Sequence, residues 1–448
     1  MLPSNALTRT FSRLREFSAF LLIGTVLALI WANVDQATYH AVIEAPLSVL
    51  FEGGITAGLQ WITDQANIVA NGGEAEHGMS FHFIVNDIFM VLFFGMAAKE
   101  VSESLLPGGA LSSVKKAALP AIATAGGVLG PVGAFFLFHA MLGIEADVAS
   151  AAWAVPTATD IAYCWLFAGL IFGRSHPAVT FLLVLAVLDD LIGMLILAVY
   201  YTPEVHVQWL GLVVLAILIC EGMRRKGVKS FWPYLLIGGP LCWFGLHNTG
   251  VHAALALVPV VPFMPHAERD AGLFKASENP HNDTMEQFEH FISPIVDVGL
   301  LTFGLANAGV LLNGEALTGS ITWLIFLSLI VGKTVGIFVF TLAGQKMGLR
   351  LPHPITMPQV AVIGCVAGIG FTVALFVTTV ALSQAPAQGW HIDETTAGML
   401  KLGALLSFAA GPLAWLLSLA THVEKINTPE EAAAAAAAGE AAAAAAGH

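Results

Sequence analysis

Charge is scarce in this chain: 11% of its 448 residues are Asp, Glu, Lys or Arg, while 57% are hydrophobic. An ordinary soluble domain carries about a quarter charged residues, and a disordered chain is poor in apolar ones, so both classes are excluded. Basic residues are the scarcer sign, 18 against 31 acidic, and no basic patch suggests nucleic acid. Cysteine is scarce too. Cys164, Cys220, Cys242 and Cys365 all fall in apolar segments, with neither metal-ligand spacing nor a loop to staple, and read as small buried hydrophobes. Nothing in the sequence implies a resident cofactor.

What the chain has in abundance is long apolar runs. Taking about 20 residues per bilayer crossing, twelve segments emerge: 17–33, 82–104, 115–140, 148–171, 178–201, 208–222, 231–246, 249–264, 291–312, 320–343, 357–382 and 398–420. The expected fold is therefore an all-α polytopic membrane protein, with a cytoplasmic N-terminus at 1–16, a twelve-helix transporter domain at 17–420 and an Ala-rich cytoplasmic tail at 421–448, read as disordered or a frayed helix. The basic residues support the count, because Lys and Arg collect in alternate, cytoplasmic loops. With both termini inside, every Lys and Arg except Lys333 and Lys401 is cytoplasmic, and residues 34–80 carry six acids and no base. The first run has a basic flank like a signal peptide, but VDQATYH at 34–40 makes a poor cleavage site, which favours a retained helix.

The exceptions to apolarity carry the information. Asp189 and Asp190 stand side by side in VLAVLDDLIGML, mid-segment five. An ionised carboxylate there costs about 2.5 to 3.5 kcal/mol on insertion scales, so such residues mark protein interiors and ion pathways. A structural salt bridge, for instance with Lys333 of IVGKTVGIF, accounts for one carboxylate and not two. Segment four reads AAWAVPTATDIAYCW, where Pro156, Thr157, Thr159 and Asp160 interrupt the helix; segment eleven reads GCVAGIGFTVALF, where Gly364, Gly368 and Gly370 precede Thr372. Non-helical backbone at membrane depth is tolerated where it lines a cavity or is buried in protein. Two such breaks in corresponding halves point to a transport site between inverted repeats, here segments three to five and ten to twelve. If the two discontinuous helices cross, Asp160 would neutralise the facing N-termini and Lys333 the facing C-termini.

Hard oxygen ligands from Asp190, Asp189 and Thr159 suit Na+ or Li+, and a buried carboxylate can titrate in the cellular pH range. Cation and protons would compete for one site, and two titrating groups allow a net charge to move. Asp87 in VNDIFM is either a site neighbour or an interfacial anchor. Glu100 and Glu103 beside Lys99 read as a solvated helix end, and His252 in TGVHAAL as a hydrogen-bonded core histidine ahead of a proton relay. An intramembrane aspartyl protease is disfavoured, because adjacent aspartates point about 100° apart on one helix. The nearer alternative is a sodium-coupled organic solute symporter.

ATDIA with Thr159 and Asp160, LDDL with Asp189 and Asp190, GVHA with His252, ANAGV at 306–310, GK with Lys333 and GIGFT at 368–372 together resemble the NhaA family of bacterial sodium/proton antiporters, in family order over residues 17–420. The resemblance implies a twelve-helix inner-membrane exchanger, not an enzyme, with crossing broken helices four and eleven. It implies that Asp190 is the central cation and proton carboxylate and Asp189 its partner. It further implies that Asp160 balances the crossed helix ends, and that Lys333 pairs with Asp189 or balances the opposite ends. Asp87 matches a modulatory position, and the regions of Glu100 and Glu289 are those linked to pH activation. Here the chain departs from the family pattern: MAAKEVSES ends segment two, Thr334 follows Lys333 where proline is usual, and Asp297 adds a carboxylate. The outer loop at 34–80 corresponds to one that helps pair protomers, which implies a homodimer. The function expected is exchange of cytoplasmic Na+ or Li+ for external H+, electrogenic and pH-regulated.

Overall fold

A computed structural model of the chain describes residues 19–44, 80–107, 111, 114–202, 204–266, 283–421, 423–428 and parts of 430–438. The N-terminal segment 1–16, most of the 34–80 loop with its expected pairing role, and the end of the Ala-rich tail lie outside the described residues. Every regular element among those described is helical, the arrangement that satisfies backbone groups internally where lipid offers no partners. In chain order they are α1 (Ala19–Val34), α2 (Gln36–Glu44), α3 (Phe81–Ser104), α4 (Val114–Leu142) and the short α5 (Ala146–Ala152). Next come α6 (Ile161–Phe172), α7 (Pro177–Val199), α8 (Leu210–Arg225), α9 (Gly239–Thr249) and α10 (Thr284–Asn307). The last are α11 (Ser320–Lys346), α12 (Met357–Ala367), α13 (Phe371–Gln384), α14 (Glu394–Leu406) and α15 (Ala410–Ala420).

Among the described residues, seven helices are long and apolar enough to cross a bilayer: α3, α4, α7, α10, α11, α8 with its leading turn, and α14 joined to α15. Two bent pairs extend the count to nine, α5 with α6 at 48° and α12 with α13 at 47°. Only 17% of the apolar window of α8 is covered by protein, and Leu218 on it is 62% exposed. Apolar surface of that extent is stable in lipid, not water, and the chain is a multi-pass membrane protein.

Two of the expected crossings differ from the sequence reading. Residues 234–249 begin in a π turn (Tyr234–Gly238), and the segment 249–264 is not an α-helix. It forms successive turns that include 3-10 pieces at Ala253–Leu255 and Val261–Phe263. The 3-10 rise of about 2.0 Å per residue, against about 1.5 Å, lets a short segment span more distance. Further π turns interrupt α3 at Ile84–Phe89 and α11 at Ser328–Gly332, directly before Lys333.

The chain divides into two compact units. One takes residues up to 108, 194–313 and 379–389. In it α1 packs along α10, and the Tyr39 hydroxyl from α2 closes the end of α10, donating to Leu305 O at 2.8 Å and accepting from Gly309 N–H at 3.2 Å. A buried polar group is tolerable when bonded: Asn86 and Asn307 pair through their amides, and Thr379 donates to Asn307 Oδ1 at 3.0 Å.

The other unit takes 109–193, 314–378 and the residues from 390 on. Its frame is α4 against α11, where the absence of side chains allows backbone contact: a Cβ on Gly336 would stand 2.1 Å from Gly126 O, and one on Gly332 2.5 Å from Pro131 Cα. Small residues at such a seam are how membrane helices approach closely. Helices α12 and α15 pack beside this frame. The segment after α15 is tied to the end of α6, with Ile426 N–H donating to Phe172 O at 2.9 Å and Ser175 N–H to Ile426 O at 3.1 Å.

Candidate functional site

Pro156 and its neighbours end the first half of segment four in a buried 3-10 turn, Val155–Thr157, and the backbone runs extended through Ala158 and Asp160 before α6 begins. The second break falls at Gly368 to Gly370, between α12 and α13. The two breaks meet within one unit. Asp160 N–H donates to Ile369 O at 2.7 Å, and a Cβ on Gly370 would lie 3.2 Å from Ala158 O, so glycine makes room for the passing strand.

Four helix ends converge here, and each finds a counter-group. Asp160 caps its own helix, with Oδ1 accepting from Tyr163 N–H at 3.2 Å, and caps α13 with Oδ2, which accepts from Thr372 N–H at 3.1 Å and from the Thr372 hydroxyl. One carboxylate therefore serves two N-termini, each carrying about half a positive charge. On the opposite ends, Lys333 Nζ donates to Thr157 O at 2.6 Å, and the Thr159 hydroxyl donates to Ala367 O at 3.0 Å. Lys333 also donates to Thr159 Oγ1 at 2.7 Å and to Asp189 Oδ2. Lys333 thus makes two kinds of contact, an ion pair with Asp189 and a bond to the Thr157 carbonyl. It is 1% exposed, and all three of its protons have acceptors.

The aspartate pair stands beside this crossing, and both residues are buried, Asp189 5% and Asp190 7% exposed. Asp189 Oδ1 and Asp190 Oδ1 are buried oxygens without a hydrogen-bond partner. A buried carboxylate oxygen without a donor is costly unless a cation or proton completes it. A cavity of about 10 Å³, lined by Thr159, Asp189, Lys333 and Ala367 among others, has room for about one water-sized group.

The remaining sequence-derived positions are elsewhere, in the first unit. Asp87 lies in the π turn of α3, its carbonyl accepting from Trp243 Nε1 at 2.9 Å. Its Oδ1 is 3.9 Å from His252 Nε2, on the wall of a cavity of about 510 Å³ that also takes in Glu204, His206, His247 and Asn248. His252 Nδ1 accepts from Ala254 N–H at 3.3 Å. Lys99 gathers Glu289 at 2.5 Å, Glu103 at 2.7 Å and Glu100 at 3.8 Å. This corrects the reading of a solvated helix end: Lys99 is 5% and Glu100 8% exposed, because α10 brings Glu289 over the group. All four cysteines are buried and free.

Sequence reasoning missed Ser407, whose hydroxyl accepts from Gly370 and Phe371 at the second break, and the π turn that presents Lys333. Serine is ordinary in membrane helices, and no local pattern marks this one.

The family profile described as Na+/H+ antiporter 1 matches residues 9–416 of the chain. The chain is 44% identical over 417 residues to the Na(+)/H(+) antiporter NhaA of Geobacter sulfurreducens, covering 92% of this chain and 98% of that protein. It is 43% identical to the NhaA of Geotalea uraniireducens, covering 90% and 94%, and 42% identical to NhaA 2 of Pelobacter propionicus, covering 92% and 98%. On this likeness over nearly the whole length, the chain belongs to the NhaA family of sodium/proton antiporters, a family of transporters rather than enzymes.

Proposed function

We propose that this protein exchanges cytoplasmic Na+ or Li+ for external H+ across a bacterial inner membrane, through twelve crossings with both termini cytoplasmic. Cation and protons compete for Asp190 and Asp189, with Thr159 as a further oxygen ligand. The observation that carries the reading is the pair of buried, partnerless oxygens, Asp189 Oδ1 and Asp190 Oδ1, beside the crossing. Oxygen donors of this hardness suit a small alkali cation as transported substrate. When the cation leaves, protons take its place. Asp189 then exchanges its bond to Lys333 for a proton or a cation, so the ion pair is part of the cycle rather than a static staple.

Two titrating groups for one cation make exchange electrogenic, and a net charge couples to voltage at about 2.3 kcal/mol per 100 mV. The cluster of buried Lys99 and Glu100 with the part-exposed Glu103 and Glu289, together with Asp87 and His252, supplies candidate groups for regulation by pH. A homodimer through the 34–80 loop belongs to the same reading. The likeness to Na+/H+ antiporters over nearly the whole chain supports ion exchange over symport of an organic solute.

The test is dequenching of a pH-sensitive dye in proteoliposomes on adding NaCl, LiCl, KCl or choline chloride across pH 6.5 to 9. Responses to Na+ and Li+ that vanish in Asp190→Asn are expected. Full activity of the variant at every pH would remove Asp190 from the site.

A further inference from the structure

Helix N-termini expose N–H groups that require acceptors, and these usually come from a capping side chain just before the helix. Helix α13 has none: Gly368, Ile369 and Gly370 precede Phe371. Its cap comes from 36 residues away. Gly370 N–H and Phe371 N–H both donate to Ser407 Oγ, at 3.1 and 3.0 Å, while the Ser407 hydroxyl donates to Ala404 O at 2.6 Å. With its proton committed, the oxygen offers both lone pairs to the two amides. Ser407 is fully buried and sits on the 3-10 turn Ser407–Ala409, where α14 and α15 join.

A serine in a membrane helix commonly bonds only to a carbonyl one turn back. The bond to Ala404 is of that kind, but it does not account for two incoming amides from another helix. An independent set of contacts fixes the same junction. Tyr163, Phe371 and Phe408 pack edge to face or tilted about one point, with ring centroids 5.3 to 5.5 Å apart. Tyr163 N–H is held by Asp160 and Phe371 N–H by Ser407. The next amide along, Thr372 N–H, is held by Asp160 again. Three consecutive amides, that of Gly370 just before α13 and the first two of α13, are therefore shared between Asp160 and Ser407, and the serine sets the register in which the third meets the carboxylate.

We propose that Ser407 is a positioning residue for ion exchange, holding the N-terminus of α13 so that Asp160 can balance both half-helices beside the aspartate pair. The inference rests on the exchange reading above. Without the hydroxyl, two buried donors compete for Asp160, and more of the partial positive charge of the helix end is left near the cation site.

Two readouts test it on full-length protein in proteoliposomes, for wild type, Ser407→Ala and Ser407→Thr. Hydrogen–deuterium exchange of peptides covering 368–375 reads the cap, and the Na+ dependence of exchange reads its consequence. In Ser407→Ala these amides are expected to exchange about tenfold faster or more, with apparent KM for Na+ raised several-fold, Vmax within about twofold, and Ser407→Thr returning both toward wild type. Ser407→Cys, close in size with a weak acceptor, replaces the alanine variant if that one does not fold. Unaltered protection overturns the cap, and lost protection with unaltered KM makes Ser407 a purely structural group and overturns the positioning role. Wild-type protein that protects these amides yet performs no Na+-dependent exchange overturns the exchange reading itself, and the role of Ser407 in exchange with it.

Discussion

Lys333 carries three obligations at once: the charge of Asp189, the hydroxyl of Thr159 and the carbonyl of Thr157. Removing one partner of a buried ion pair costs about 3 to 5 kcal/mol, mostly because the other charge is left unmatched. Lys333→Met is therefore expected to lower the thermal midpoint in detergent by many degrees. The double variant Asp189→Asn, Lys333→Met should recover part of that loss, since the orphaned charge is gone. A double variant no more stable than Lys333→Met alone would show that the pair contributes nothing beyond the bonds to Thr157 and Thr159. Residues of this kind were legible in the sequence because charge in an apolar run is expensive enough to need a reason, and that reasoning found Asp160, Asp189, Asp190 and Lys333 together. Ser407 was not legible, because its role depends on which amides arrive from α13, and no local spacing encodes that.

At the level of elements, the seam between α4 and α11 makes opposite predictions for two glycines of similar appearance. A Cβ on Gly336 would meet backbone atoms, 2.1 Å from Gly126 O and 2.9 Å from Gly130 Cα, whereas one on Gly133 meets nothing within 4 Å. Gly336→Ala is expected to force the helices apart and lower both yield and thermal midpoint. Gly133→Ala should leave the midpoint unchanged or raise it, gaining up to about 1 kcal/mol of helix propensity. Equal behaviour of the two variants would contradict the close approach. The joint between α6 and α7 makes a pH prediction. His176 is buried there, its Nδ1 accepts from Ala178 N–H at 3.0 Å, and burial lowers its pKa to about 4 from the usual 6.5. Between those values the unfolded chain binds the proton and the native one does not, so native stability falls as pH drops from about 6.5 toward 4. His176→Asn, which keeps an acceptor and cannot titrate, should flatten that part of the melting-temperature profile; an unchanged slope would show that other groups dominate. Breaks at Pro156 and at Gly368 to Gly370 were visible as punctuation. The turns of 249–264 were not, because hydropathy alone does not distinguish an α-helix from a tighter one.

For the whole molecule, exchange by competition has a thermodynamic signature that needs no transport measurement. A cation that binds the native state and not the unfolded chain stabilises it by RT ln(1 + [Na+]/Kd), about 2.7 kcal/mol at one hundred times Kd. In that reading protons claim the same oxygens, so the apparent Kd for Na+ is expected to rise as pH falls, and the stabilisation by a fixed NaCl concentration to shrink. Choline chloride at equal ionic strength controls for screening, which acts on exposed charges and hardly on a buried pair. Melting wild-type protein at pH 8.5 and at pH 6 should therefore give a Na+-specific upward shift at the higher pH that is reduced or absent at the lower one. In Asp190→Asn the shift should be lost at both, because the neutral amide supplies neither the charge nor the proton site. A Na+ shift of equal size at both pH values would mean that cation and proton occupy different places. Antiport would then require two sites coupled through the protein instead of one site shared by Asp189 and Asp190.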